Sequence, residues 1–375
     1  MSAEQFAIRT VRASSYRFPL STPVVTSFGR MLNRPAVFVE ITDQDGVAGW
    51  GEVWSNFPAV GAEHRVRIVN EILAPLVENV SVSHPSEIFQ KLSTRLDVLA
   101  LQCGEPGPFA HSIAGLDIAL WDLFAKRQRQ PLWKLLGGTS PRIGVYASGI
   151  NPTGSAAMAE AALARGYRAL KLKVGFDEAQ DRDNLKQLRA IGGYDTLAAD
   201  ANQAWDLDEA LKRAAGFTEF NLAWLEEPIR ADRPRDEWIT LAKSITMPLA
   251  AGENIASRDG FAHLLSESGV KVVQPDMAKW GGFSECVAIG RNILQAGQRF
   301  CPHYLGGGIG LLASAHLLAA VGGDGLLEID SNDNPLRDRF CGPVANVTNG
   351  TITLGDEPGL GMTPDIDSIA DLRTA

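Results

Sequence analysis

Eight titratable residues stand near the ends of short apolar runs that recur about every 25 residues through the second half of the chain. In order, the runs Ala169–Val174, Leu197–Asp200, Ala223–Glu227, Leu249–Glu253, Val270–Asp276, Phe300–His303 and Leu326–Asp330 carry Lys171, Lys173, Asp200, Glu226, Glu253, Asp276, His303 and Glu328. If the runs are parallel strands of one barrel, all eight face the C-terminal rim, where such barrels hold their active sites.

The residue types suggest the chemistry. Asp200, Glu226 and Glu253 lie on three successive runs, and three neighbouring carboxylates repel unless a cation lies between them. Hard oxygen donors with no Cys or His among them suit Mg²⁺, one ion per site. Taken singly, each carboxylate reads more readily as a helix cap or ion-pair partner; the shared register favours the cation. Lys171 and Lys173 alternate on one strand, so both point inward, where an ammonium is costly unless it serves a site. Mutual repulsion and a nearby metal are expected to lower one of them toward neutrality, making it a usable base. Asp276 and His303 end adjacent runs, as a carboxylate that fixes an imidazole tautomer and raises its basicity. Glu328 is placed to hydrogen-bond a substrate oxygen. Lys279 reads either as a further cation beside Asp276 or as a loop residue. The run Gly306–Gly310 reads either as a flexible turn or as backbone amides offered to an anionic substrate end.

Together these parts suit removal of the proton α to a carboxylate. That proton is weakly acidic, so the developing enediolate needs metal and cationic side chains in the same step. A base on each face then permits proton return with inversion, or acid-assisted loss of a β-hydroxyl.

The elements that would position these groups follow from texture. From about Arg142 the chain repeats strand, loop and helix, with helices expected at 155–165, 179–191, 207–217, 235–243, 258–267, 283–295 and 311–320. With Ile143–Ala147 as the opening strand there are eight strands, each a nearly continuous apolar run, as parallel strands buried on both faces require. A doubly wound open sheet is the rival arrangement; eight regular units favour closure. The first 130 or so residues differ: Val37–Ile41 and Gly49–Glu52 read as a β-meander around an Asp43–Gly46 turn, followed by helices at 63–78, 85–99 and 110–127. The expected fold is α/β, a (β/α)8-type modified TIM barrel (residues 136–345). An α+β capping domain comes from residues 1–135, with a C-terminal segment, 346–375, returning to it.

Composition bounds the rest. The formal charge of −9 argues against nucleic-acid binding. No run reaches the roughly 20 apolar residues of a membrane span. Residues 1–20 lack the apolar core of a secretory signal, so a cytoplasmic address is expected. Four cysteines without a CxxC pair argue against a zinc site or a disulfide framework.

At Lys171-Leu-Lys173, Asp200-Ala-Asn202-Gln203-Ala-Trp205, Trp224-Leu-Glu226-Glu227-Pro228, Gly252-Glu253-Asn254, Pro275-Asp276 with Gly281-Gly282, His303 and Leu327-Glu328, the chain resembles the enolase superfamily, most closely its mandelate racemase subgroup. The resemblance covers essentially the whole chain, including Gly49-Trp-Gly-Glu52 of the capping domain. It implies that Asp200, Glu226 and Glu253 bind magnesium, that Lys173 is one acid/base supported by Lys171, and that His303 with Asp276 is the other. It further implies that Glu328 bonds the substrate carboxylate, that Asn202 contacts substrate, and that the protein is a homo-oligomer. Glu253-Asn254 together with the His–Asp pair sets the chain apart from the muconate-lactonizing subgroup, where a lysine serves the second face; Lys279 stands close to that lysine's place.

Within the subgroup the commonest activity is sugar-acid dehydration to a 2-keto-3-deoxy acid, a hydro-lyase reaction. Racemisation or epimerisation of an α-hydroxy or related acid by the same residues is the alternative. A Schiff-base aldolase using Lys171 or Lys173 would survive EDTA and be trapped by borohydride; a silent binding protein would not bind Mg²⁺. Substrate choice is expected in the loops Val25–Arg30 and Trp54–Arg65, where His64 and Arg65 are candidates to hold a polyol or second carboxylate.

Overall fold

A computed structural model describes residues 5–375 except 27, 28, 59 and 268. The first unit opens with a long antiparallel pair, β1 (Phe6–Thr26) and β2 (Gly29–Asp43), followed by β3 (Ala48–Val53). Helix α1 (Gly61–Arg67) passes through a wide turn, Ile68–Leu73, into α2 (Ala74–Val77). Then come β4 (Ser81–Val82), α3 (Pro85–Gln102), α4 (Pro106–Arg127) and α5 (Leu132–Leu135). The sheet runs β3-β2-β1-β4. Expected loop residues Ser27 and Phe28 lie outside the described residues.

Helix α4 is buried almost all round and lies directly on β3. The close approach explains the Gly49-Trp-Gly-Glu52 motif. A Cβ at Gly49 would stand 2.2 Å from the Ala119 carbonyl oxygen, and one at Gly51 the same distance from that of Gly115. The glycines admit the helix, and Glu52, on the other face of the strand, points toward the barrel.

The barrel strands are β5 (Arg142–Ile150), β6 (Ala169–Lys173), β7 (Thr196–Asp200), β8 (Leu225–Glu226), β9 (Leu249–Ala251), β10 (Val270–Val273), β11 (Arg299–Phe300) and β12 (Leu326–Asp330). Between them run α6 (Ser155–Ala164), α7 (Glu178–Ile191), α8 (Leu207–Phe217), α9 (Arg235–Ser244), α10 (Arg258–Glu267), α11 (Gly282–Gln295) and α12 (Gly308–Val321), with α13 (Pro335–Asp338) after β12. The parallel path is β11-β10-β9-β8-β7-β6-β5-β12. Across the remaining seam, the Leu326 amide donates to Cys301 Sγ at 3.3 Å, and a Cβ at Gly325 would stand 1.7 Å from the Phe300 carbonyl oxygen. The strand expected at 347–354 is shorter, β13 (Thr351–Thr353), and pairs antiparallel with β5 of the barrel. Only beyond it does the chain reach the first unit, where Thr374 N donates to Ser15 O and Leu360 N to Asp122.

The barrel interior is layered, as strand alternation requires. One layer contains Tyr146, Ala169, Ala198, Trp224, Ala250, Val272 and Cys301, the three alanines making room for the two aromatic rings, which meet edge-on at 5.4 Å. Two residues further along the strands, the inward positions become Ser148, Lys171, Asp200, Glu226, Gln274, His303 and Glu328. The apolar layer is the floor of a charged one. Among the described residues no helix is long and apolar enough to cross a membrane.

Candidate active site

Lys171 sits on that floor, fully buried, its Nζ 5.4 Å above the Tyr146 ring. It donates to Glu226 Oε1 at 2.6 Å and lies 2.8 Å from Glu328 Oε1 and 3.7 Å from Asp200 Oδ2. Lys173, one turn of the pleat higher, donates to Asp200 Oδ2 at 2.6 Å and Asn202 Oδ1 at 2.8 Å, and keeps 16% of its side chain exposed. The strand register sets these contacts: Lys173 pairs with Asp200, and Asp200 with Glu226.

The expected lowering of one lysine needs the metal as well as mutual repulsion, and with the carboxylates free to pair, their attraction prevails. Burial does penalise both charges, but Glu226 and Glu328 outweigh it at Lys171 and Asp200 outweighs it at Lys173, so both are raised above the ordinary lysine value. Each ammonium has its own carboxylate at 2.6 Å.

On the other side, His303 Nδ1 lies 2.7 Å from Asp276 Oδ2, and Asp276 Oδ1 accepts the amides of Ala278 at 2.9 Å and Lys279 at 3.2 Å. The carboxylate is therefore fixed by backbone and orients the ring through Nδ1, leaving Nε2 toward the site, 3.0 Å from Glu253 Oε2 and 3.8 Å from Glu328 Oε2. Burial opposes the imidazolium, but Glu253, Glu328 and Asp276 outweigh it and raise His303 to about 9. Around the strand ring, β10 with Asp276 at its end is the fourth strand from β6 in either direction. The lysine and dyad groups thus face each other across the mouth.

Among the described residues no three His, Cys, Asp or Glu groups stand in a ready-made metal cluster. Asp200 turns to Lys173, Glu226 to Lys171, and Glu253 to Lys279 Nζ at 2.9 Å and His303. The chemistry of the set nevertheless fits a hard divalent cation. Asp200, Glu226, Glu227, Glu253, Asp276 and Glu328 meet Lys171, Lys173, Lys279 and His303, leaving carboxylate charge in excess. Glu226 is raised to about 7, by burial first and by Asp200 second; Glu227 is raised well above its ordinary value, by burial and then Glu253. Added positive charge between Asp200, Glu226 and Glu253 relieves that strain with oxygen donors alone.

Several residues escaped the sequence reading. Glu328 Oε1 also accepts from Ser148 Oγ at 2.5 Å, and Gln274 Nε2 donates to Glu226 Oε2 at 2.6 Å. Both positions follow from inward alternation on β5 and β10, which could have found them. Lys279 proves to be a buried member of the site: it bridges Glu253 and Asn254 Oδ1 (3.2 Å) and lies 4.8 Å over the ring of Trp54 from the first unit. Cation-to-ring contacts across two units leave no local sequence signal. Asn202 hydrogen-bonds Asp200 and Lys173.

Two expectations are corrected. The amides of Gly307 and Gly310 do not face an open site; they donate to Glu52, at 2.5 and 2.8 Å. His64 and Arg65 do not reach into the mouth either. His64 pairs with Glu105 at 2.9 Å, while Arg65 is buried against Trp54, with its donors on His111 Nδ1 and the Gly61 and Phe57 carbonyls. The stem of Arg65 and its cation–π contact brace the loop.

Residues 8–137 match the family model of the mandelate racemase / muconate lactonizing enzyme N-terminal domain, and residues 154–368 match the enolase C-terminal domain-like model. This chain belongs to the mandelate racemase / muconate lactonizing enzyme family of the enolase superfamily. Among relatives within the superfamily, arabinonate dehydratase of Saccharolobus solfataricus is 30% identical over 87% of both chains. The 3,6-anhydro-alpha-L-galactonate cycloisomerase of Streptomyces coelicolor is 31% identical, over 97% of this chain and 99% of its own. A crystal structure of a mandelate racemase/muconate lactonizing enzyme from Bordetella bronchiseptica is 51% identical, with a TM-score of 0.93 over 98% of this chain and 100% of that one. Superfamily relatives thus include acid-sugar dehydratases, cycloisomerases and racemases, and its solved members include magnesium-bound enzymes.

Proposed function

We propose that this protein is a Mg²⁺-dependent dehydratase of a sugar acid, releasing a 2-keto-3-deoxy acid. The observation that carries the reading is the opposition of two differently poised groups across one charged mouth: Lys173, partly exposed beside Asn202, and His303, oriented by Asp276 and raised to about 9.

Asp200, Glu226 and Glu253 would hold the cation. When bound, it supplies positive charge for the substrate carboxylate and takes over carboxylate charge that otherwise keeps Lys173 protonated. Lys173 Nζ removes the α-proton from one face. Lys171, sealed beneath it between Glu226 and Glu328, supplies a fixed positive charge to the developing enediolate, which a preorganised site stabilises without reorganisation. His303, in its protonated form, delivers the Nε2 proton to the departing β-hydroxyl, while Asp276 keeps its ring aimed. Glu328, held by Ser148 and Lys171, receives a substrate oxygen, and Asn202 orients the acid beside Lys173.

A sealed Lys171 is poorly placed to attack a carbonyl, which leaves Lys173 alone for a Schiff-base aldolase. Racemisation or epimerisation is favoured by one feature, the presence of a proton-transferring group on each face. NMR of a panel of mono- and di-acid sugars with Mg²⁺ in D₂O separates the readings. Dehydration gives a 2-keto-3-deoxy product, and racemisation gives α-deuterium with no loss of water. Turnover that survives EDTA with borohydride trapping would refute both.

A further inference from the structure

Three buried side chains of the first unit end on the barrel loops that follow β10, β11 and β12. Asp117 of α4 accepts from Ser284 Oγ at 2.5 Å and from the Ser284 amide at 3.1 Å, at the start of α11. Glu52 of β3 accepts the amides of Gly307 and Gly310 at the start of α12. Arg34 of β2 pairs with Asp330 at the end of β12. Further bonds join the same loops to the same unit: Asn56 Nδ2 donates to Leu305 O at 2.6 Å, and Trp54 N to Ala278 O at 3.5 Å. These loops carry Asp276, Lys279 and His303. The lysine face is held from within the barrel, by Asp200 and Asn202.

We propose that Glu52 and Asp117 are positioning residues for the Asp276–His303 pair, so that docking of the first unit sets the geometry of one face of the active site and not the other. The inference rests on the dehydratase reading for its kinetic consequence, and on geometry alone for its structural one. Each carboxylate occupies a seat that only glycine leaves open. A Cβ at Gly307 would stand 2.6 Å from Glu52 Oε1, and one at Gly282 would stand 2.1 Å from Asp117 Oδ2. The Gly281-Gly282 and Gly306–Gly310 runs are therefore sockets for two carboxylates from another unit. Burial raises both groups to about 7 against the opposing effect of the donors they accept, a cost that a surface loop contact would not carry. From Glu52 the path to His303 is short: Gly307 lies four residues beyond it, and the intervening Tyr304 amide bonds Glu328 Oε2 at 3.3 Å.

The test uses the full-length chain with Mg²⁺ and arabinonate, or whichever sugar acid of the panel the wild type turns over, in D₂O. Glu52→Gln keeps side-chain volume but places a donor against a backbone donor, and Asp117→Leu keeps volume but removes both acceptors from Ser284. Gly307→Ala leaves Glu52 intact and displaces it; with φ −81° that backbone accepts alanine without strain. A misplacement of about 1 Å at a reacting group costs roughly 100-fold. Dehydration should fall by about that factor in all three variants, with α-proton exchange by Lys173 kept within about twofold. In parallel, nitrogen NMR of His303, recorded above pH about 9 where the ring is neutral, should lose the single Nδ1-protonated tautomer fixed by Asp276. Equal loss of exchange and dehydration, or no loss of either, overturns the proposal. If the wild type neither exchanges nor dehydrates any sugar acid, the dehydratase reading fails and the His303 spectrum decides alone. An unchanged spectrum in all three variants then overturns the inference.

Discussion

Replacing Arg34 with methionine keeps the aliphatic stem and removes the charge from a buried pair. Arg34 Nη2 donates to Asp330 Oδ2 at 2.5 Å, with the side chains 2% and 5% exposed. Breaking such a pair from one side costs about 3–5 kcal/mol, because the remaining charge is left buried and uncompensated. Asp330 keeps Arg337 Nη1 at 3.8 Å and the amide and side chain of Asn332, which points to the lower end, about 3 kcal/mol. At about 2.1 cal/mol/K of unfolding entropy per residue, a chain of 375 residues loses about 4 °C in Tm for that cost. The pH dependence has a definite sign. Burial pushes Asp330 up, but Arg34 and Arg337 outweigh it and hold it below the ordinary carboxylate value. A depressed carboxyl contributes stability at neutral pH and loses it as pH falls through its folded value, so the gap between wild type and variant should close on acidification. Thermal melts at neutral and acid pH, with Asp330→Asn and the double variant, measure this. The double variant should be clearly more stable than the sum of the single losses implies. A shift below about 1 °C at neutral pH, or strict additivity, refutes the buried-pair argument.

Other perturbations address the metal, the barrel seam and a buried histidine. Glu253→Gln should weaken Mg²⁺ binding by about 100-fold or more, the upper range for loss of even an outer-shell partner; an unchanged Kd by calorimetry would remove Glu253 from the proposed set. Gly325→Ala places a methyl 1.7 Å from the Phe300 carbonyl oxygen, a backbone atom that cannot swing aside, so it should sharply lower Tm or solubility; a wild-type melt would show that the seam is loose. Burial lowers His316 to about 3, and its Nδ1 accepts the Trp133 amide. Its neutral form therefore supports the fold fully above about 6.5, and that support is lost progressively as pH falls toward about 3. His316→Gln should flatten this acid limb in urea titrations; an unaltered slope would contradict the assignment.

The barrel was legible because parallel strands buried on both faces are continuous apolar runs, and their ends mark the rim. Lys171, Lys173, Asp200 and Glu226 could be placed by alternation alone. The long strand β1 was not seen: its register with β2 shifts between Ile8 and Thr10 and again between Pro19 and Val24, so the period-two pattern changes phase within the strand. Which carboxylate reaches each lysine was not legible, because that depends on strand register. The partners of Glu52 and Asp117, and the Trp54 ring beside Lys279, were hidden for a related reason. Each contact joins residues far apart in the chain, and only the docking of the two units brings them together.

The account's central claim is that Lys173 and His303 act on different steps from opposite faces. The most direct test is α-proton exchange measured alongside product formation for His303→Asn, with Mg²⁺ and a sugar acid turned over by the wild type, in D₂O. Loss of the acid should lower dehydration by about 100- to 10,000-fold, while deuterium continues to enter the α-carbon from the Lys173 side. Full dehydration by His303→Asn, or loss of exchange in step with dehydration, would contradict it.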